Sequence, residues 1–203
     1  MADELPPLGM PGNPIKLTDP KMMRALAHPA RIAIVTHLVL HGPATATECA
    51  DVAGLSPSAC SYHLRALARY GIVEEDLDSA ADGRQRPWRA RAVSFSIESD
   101  STTPPATKLA GQLLAETFRA DAEETRARYL NRQLEYPDEW QHELGDSTDI
   151  AHVTPEELHE LKDAIDKLFD RYRRLDPGER PEGVLPVRIS LDMYPWFGPE
   201  EAK

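Results

Sequence analysis

Residues 45–71, TATECADVAGLSPSACSYHLRALARYG, are punctuated so tightly that few folds accommodate them. Thr45 followed three places later by Glu48 is a capping box, in which each side chain takes the other residue's free backbone N–H. Cys49, Ala50, Val52 and Ala53 fill the short helix that follows, and Gly54 stops it. Leu55 sits in the turn, placed to plug a core. Ser56 and Pro57 then open a second helix, the serine as cap and the proline where an N–H has no helical partner anyway. Gly71 supplies the residue that a left-handed helix end prefers. Between these marks Cys60, Leu64 and Leu67 share one face. Ser58, Ser61, Tyr62, Arg65 and Arg69 point elsewhere and form a polar or basic set with no carboxylate. Such a face suits close approach to a polyanion. It also suits an ordinary solvated helix, and the spacing alone fits both.

The flanks add direction. Two short helices joined by a three- to four-residue turn containing glycine have the helix-turn-helix layout, whose second helix enters the major groove of DNA. Upstream, Asp19-Pro20 caps a helix over Lys21–Ala27 with Met22, Met23 and Leu26 as its apolar residues. Pro29 opens another, in which Ile32, Ile34, Val35, Leu38 and Val39 recur at helical spacing until Gly42-Pro43. Downstream, Ile72-Val73 and Trp88–Val93 suit strands, with Asp82-Gly83 as the turn between them. Arg84 and Arg86 fall near the hairpin tip, and Arg89 and Arg91 on its returning strand. A basic hairpin directly after such a helix is a wing, whose arginines reach backbone phosphates or a narrow minor groove. An ordinary solvated hairpin carries the same pattern.

The expected fold class is mainly α, with α+β features. Residues 1–16, rich in Pro and Gly, read as a disordered tail. A winged helix-turn-helix domain spans 17–93, and 94–105 form a linker. A C-terminal helical region over 106–203 carries one or two short strands. Its first helix runs from about Ala106 to Leu134, with Leu109, Ala110, Leu113, Leu114 and Phe118 in i, i+4 rows. A short strand is expected over Asp149–Val153. Thr154-Pro155-Glu156-Glu157 is a complete helix start, and Leu158, Leu161, Ile165, Leu168, Phe169 and Tyr172 then share a stripe. Val187, Ile189, Leu191 and Met193 alternate with Arg188, Ser190 and Asp192, which predicts a half-buried strand.

The formal net charge of −11 counts against a nucleic-acid partner, but its distribution matters more. Residues 17–92 carry nine Lys/Arg and eight Asp/Glu, a net of +1. The remainder carries 14 basic and 26 acidic residues. A near-neutral reader joined to an acidic body can bind DNA if its basic residues share a face. No window approaches the roughly 20 apolar residues of a membrane span, and the N-terminus lacks the pattern of a signal peptide. Cys49 and Cys60, both inside helical patterns, read as reduced core thiols of a cytoplasmic protein. One sulfur in the third helix cannot supply the three or four ligands that a soft metal takes. His142, His152 and His159, with Glu139, Glu143, Glu156 and Asp163 nearby, are the one imidazole and carboxylate set to weigh, and no metal or other cofactor is expected. His28, His37 and His41 flank the second helix as structural or surface residues. No GxSxG, phosphate-cradling glycine loop or HExxH occurs, so the chain is not expected to be an enzyme.

The run HPARIAIVTHLVLHGPATATECADVAGLSPSACSYHLRALARYGIVEE, with its HPxRxxI start, SYHLRAL helix, YGIV exit and arginine-bearing wing, resembles the ArsR-like (arsenic-repressor-like) winged helix-turn-helix regulators of bacteria. The resemblance covers roughly Pro20 to Arg91, a little under half of the chain. It implies a cytoplasmic homodimeric transcription regulator, commonly a repressor released by an effector. By position it would put Ser56, Ser58, Ser61, Tyr62, Arg65 and Arg69 against double-stranded DNA, with Arg84, Arg86 and Arg89 from the wing. His63 would sit at the helix edge, supporting the fold or touching a phosphate. The second half exceeds the minimal pattern of that family and would enlarge the dimer interface or build a pocket for an unknown small-molecule effector. Met22, Leu26, Leu109, Leu113 and Phe118 are the expected dimerisation residues. The alternative is a winged helix that serves as a protein–protein interaction module without DNA.

Overall fold

A computed structural model of the chain describes residues 15–76, 86–97, 99–170, 172 and 183–196. The first 14 residues, expected as part of a tail, and the wing tip with Asp82, Gly83 and Arg84 lie outside the described residues. The described part is mostly helical with a few short strands.

The chain enters through strand β1 (Ile15–Leu17) and helix α1 (Pro20–Leu26), capped as expected by Asp19, whose carboxylate accepts from the Lys21 N–H at 2.8 Å. Helix α2 (Pro29–His41) starts on a cap that the sequence did not advertise: His28 Nδ1 accepts from the Ala30 N–H at 3.2 Å. Helix α3 (Ala46–Ala53) carries both halves of the Thr45–Glu48 capping box. Its end turns on Gly54 at φ +64°, where a side chain would strain the backbone. Helix α4 (Pro57–Ala68) starts with the Ser56 hydroxyl accepting from the Ala59 N–H at 3.3 Å. Strands β2 (Val73–Glu75) and β3 (Trp88–Ala90) form the antiparallel wing, with Glu74 directly opposite Arg89.

Residues 94–105, expected as a linker, contain strand β4 (Phe95–Ile97), which pairs in parallel with β1. Three residues are too short to show an alternation, so no periodicity could mark either strand. Helix α5 (Pro105–Arg132) follows and continues as a 3₁₀ turn over Gln133–Glu135. It packs on α1. The approach is close at Gly111: a Cβ there would meet the Ile97 side chain at 3.0 Å, with the Met23 sulfur next at 3.8 Å. Phe95 and Phe118 stack beside it with ring centroids 6.1 Å apart.

One apolar cluster joins these elements, with Leu17, Leu26, Ile34, Leu38, Cys49, Cys60, Leu64, Leu67, Ile72 and Leu114 fully buried. Leu26 is therefore enclosed by its own chain, which replaces its expected interface role with a core one. Along α5 Ala110, Gly111 and Leu114 are buried in this core and Phe118 packs half-buried against it, while Leu109 and Leu113 stay 65% and 48% exposed.

Among the described residues nothing beyond Leu114 is buried. Helix α6 (Asp138–Gln141) and helix α7 (Pro155–Asp170) come next. Two hydrogen bonds from the Arg126 guanidinium to Asp146, at 2.9 and 2.8 Å, tie the stretch after α6 back to α5. The strand expected over Asp149–Val153 is absent, and those residues run without regular structure. The strand expected over 187–193 is also absent. Arg188 pairs with Asp121 and Arg119 lies 3.9 Å from Asp192, so the polar side of this segment lies along α5. Val187, Ile189, Leu191 and Met193 stay exposed. An alternating pattern specifies a buried face only where a neighbouring strand completes the ladder, and none is present among the described residues.

Candidate nucleic-acid interface

Helix α4 is held from behind by burial. Cys60, Leu64 and Leu67 face the core and are fully buried. Burial pushes the Cys49 thiol up to about 12, with Cys60 beside it adding to the shift, and burial raises Cys60 in the same way. Both sulfurs are thus protonated core groups, poor as nucleophiles and as metal ligands.

The outer side of α4 carries the expected reading residues. Ser56, Ser58, Tyr62, Arg65 and Arg69 are exposed, and Ser61 is half-buried. Among the described residues neither Arg65 nor Arg69 forms a salt bridge. Three of the hydroxyls have local work. Ser56 caps the helix and lies 3.1 Å from the Ser58 hydroxyl, and Ser61 donates to the Pro57 carbonyl at 2.9 Å. Each hydroxyl keeps acceptor capacity beyond those bonds.

His63 turns away from this face. Its Nδ1 accepts from Arg31 Nε at 3.0 Å, and its ring lies 4.8 Å from that of His28. The Arg31 guanidinium also donates to the Ala25 carbonyl in the last turn of α1, where helical carbonyls lack partners. Arg31 therefore ties the end of α1 and the start of α2 to the reading helix, and His63 is a supporting residue. Spacing could not show this link, because Arg31 and His63 are 32 positions apart.

That link has a pH consequence. Burial, the Arg31 charge and His28 hold His63 below its ordinary value of 6.5. Burial and His41 lower His37 too, with Glu48 opposing. In the unfolded chain both histidines take protons near 6.5, whereas in the folded chain they resist. Their stability contribution is thus complete above about pH 6.5 and is lost as pH falls below it, until the folded values are reached. Thermal midpoints should drop between pH 7 and 5.5. His63→Gln, which keeps an acceptor for Arg31 but does not titrate, should flatten part of that slope. An unchanged slope would contradict the role given to His63.

The wing differs from the sequence expectation in its charges. Arg89 Nε lies 2.7 Å from Glu74 directly across the ladder, and Arg91 Nε lies 3.4 Å from the same carboxylate. These two arginines neutralise the Glu74 carboxylate and brace the hairpin, so the charge that Arg89 brings to the wing is locally balanced. Arg86 pairs with Glu75 at 3.0 Å on a well-exposed site, where such a pair is weak and can exchange for a phosphate. Arg84 is outside the described residues.

Between wing and helices lies an open cleft lined by Thr45, Thr47, Pro57, Ser58, Ser61, Glu75, Arg86 and Trp88. The first turns of α3 and α4 meet there, so unpaired backbone N–H groups, hydroxyls and one guanidinium border the same space. Glu48 at that corner is held below its ordinary value by hydrogen bonds from Thr45, so a carboxylate charge stands beside the α3 start.

Among the described residues no group of three or more His, Cys, Asp or Glu side chains is placed to hold a metal ion. His142, His152 and His159 are all exposed. No described helix is long and apolar enough to cross a membrane.

No curated protein matches the chain. Among solved structures, a mutant of ZitR from Lactococcus lactis is 18% identical with a TM-score of 0.29, over 80% of this chain and 82% of that one. A MarR family protein of Mycobacterium tuberculosis, solved in complex with salicylic acid, is 19% identical with a TM-score of 0.26, over 74% of this chain and 87% of that one. The helix-turn-helix domain family matches residues 26–76, the segment from the end of α1 through β2 that contains α3, its glycine turn and α4.

Proposed function

We propose that this chain is a sequence-specific DNA-binding regulator of transcription, acting as a homodimeric repressor of the ArsR-like type. Residues 17–93 are the reader, 94–105 the connection, and 106–203 the dimerising and effector-responsive body. The observation that carries the reading is the outer face of α4. Ser58, Ser61, Tyr62, Arg65 and Arg69 lie along a helix without a carboxylate, and neither arginine is ion-paired among the described residues. In a dimer two such helices enter successive major grooves, about 34–36 Å apart. Arg86 and the α3 start then meet the backbone beside them. Met22, Leu109, Leu113 and Phe118, none of them fully buried, are the dimer residues of this reading. The effector site of this reading is the open cleft bordered by Tyr136, Trp140, Val184 and Leu185 together with Arg132, Glu135 and Glu139. The chain acts by binding and release, without catalysis.

A second reading, a winged helix used to dock another protein, is favoured by one observation. Glu74 and Glu75 pair with the wing arginines and reduce the positive field there. The two readings separate on salt. Binding to a duplex taken from upstream of the protein's own gene should weaken steeply with salt. The slope of log K against log salt should be about −4 or steeper, as expected when a dimer neutralises four or more phosphates. An unrelated duplex should bind far more weakly at every salt concentration. A flat salt dependence, or equal affinity for both duplexes, would overturn the regulator reading.

A further inference from the structure

Helix α7 exposes an apolar stripe that has no extensive packing partner among the described elements. Leu161 and Leu168 are 42% and 53% exposed, and Leu158 and Ile165 lie on the same side, half-buried. The spacing is more specific than amphipathicity. Leu158, Leu161, Ile165, Leu168 and, just past the helix, Tyr172 recur in strict steps of three and four. Those steps give about two heptads of an a/d seam, which Ala164 and Phe169 flank on either side.

We propose that α7 pairs in parallel with α7 of a second copy of this chain, forming a short two-stranded coiled coil that closes the C-terminal half of the dimer. Charge favours this occupant. With Leu158 at an a position, Glu157 falls at g and Lys162 at e; Glu157 Oε2 accepts from the Thr154 N–H at 2.7 Å, and its Oε1 is the oxygen offered across the seam. In a parallel pair the g residue of one helix faces the e residue five places on in the other, so Glu157 meets the partner copy's Lys162 on both sides of the seam. An antiparallel pair centred on the same seam brings the two Lys162 side chains together instead, which is repulsive. The next g and e positions are Ala164 and Phe169, which extend the apolar contact. The outer positions are His159, Glu160, Asp163, Asp166, Lys167 and Asp170, a charged surface suited to solvent and unsuited to a second apolar partner. The inference rests on the dimeric reading above and adds a second, separate contact to it.

Disulfide trapping in the full chain tests it, because Cys49 and Cys60 are buried and stay silent. A parallel seam brings the two copies of a d position within disulfide reach. Under mild oxidation at low protein concentration, Leu161→Cys should run largely as a cross-linked dimer on a non-reducing gel. Lys167→Cys, on the outer face, should give at least about ten-fold less. Equal yields from the two variants would overturn the proposal. So would a Leu161→Cys chain that stays uncross-linked while sedimentation shows a dimer, and in that case the dimeric reading survives. A chain that sediments as a monomer sinks both. The variants leave the folded half intact, because nothing in α7 belongs to the buried cluster.

Discussion

Replacing Leu64 with alanine is expected to lower the unfolding free energy by about 2–5 kcal/mol and the thermal midpoint by roughly 10 °C or more. Leu64 is fully buried in the same cluster as Leu38, Cys49, Leu67 and Ile72. The substitution removes three carbons of packing and leaves a space that surrounding helices can fill only partly. It therefore costs transfer energy and cavity energy together. For a small domain with about 5–15 kcal/mol of total stability this is a large fraction. The effect on DNA is indirect. Leu64 lies on the back of α4, so the variant should bind DNA normally at low temperature and lose binding when the domain melts. Val52, on the neighbouring helix, supplies the control: it is 52% exposed, and Val52→Ala should change stability by less than about 0.5 kcal/mol. Urea unfolding followed by circular dichroism reads both. Equal effects from the two variants would mean that the core is not where the buried residues put it.

Much of this N-terminal fold was legible because local signals agreed with one another. Asp19-Pro20, Thr45 with Glu48, Ser56-Pro57, Gly54 and Gly71 each mark a helix end by chemistry that needs no tertiary context. The apolar spacing of α4 separated Cys60, Leu64 and Leu67 from the polar face, and burial followed that division. Where partners come from far along the chain, the same signals were silent. The β1–β4 ladder joins residues eighty apart through three-residue strands. Leu26 was expected at a dimer interface and is fully buried within its own chain. The alternation at 187–193 was genuine in sequence, yet alternation states which residues share a face and not whether a sheet exists to receive them.

The candidate site was legible in membership and less so in charge. Sequence grouped Arg84, Arg86, Arg89 and Arg91 as one basic wing, while the acids of VEED appeared only as the strand before it. Hairpin register decides the pairing: it sets Glu74 opposite Arg89, so charge that counted as positive in the sequence is locally balanced in the fold. His63 was open to two roles by position, and its Nδ1 accepts from Arg31, which links α2 to α4. That link explains the HPxR segment in physical terms. His28 caps α2, Pro29 occupies the first turn, Arg31 ties three helices together, and Ile32 enters the core.

The arginines should therefore part company when replaced one at a time. Arg65→Ala is expected to weaken binding to the specific duplex by about 1–3 kcal/mol, between roughly five- and 150-fold, and to relax preference at one base pair per half-site. Its side chain is exposed on the carboxylate-free face and, among the described residues, forms no salt bridge that would have to be broken first. Arg86→Ala should weaken specific and unrelated duplexes alike and reduce the salt slope by about one per protomer. Its exposed pair with Glu75 yields easily to a phosphate. Arg89→Ala should act on the wing itself. Glu74 would lose a 2.7 Å partner, and stability would fall with little change in the salt slope. Titrations of a fluorescent duplex at several salt concentrations, with a melting curve for each variant, resolve all three. If Arg65→Ala binds both duplexes as the unmodified chain does, α4 is not the reading helix. The docking-module reading, with its acid-paired wing, would then be the better account of the domain.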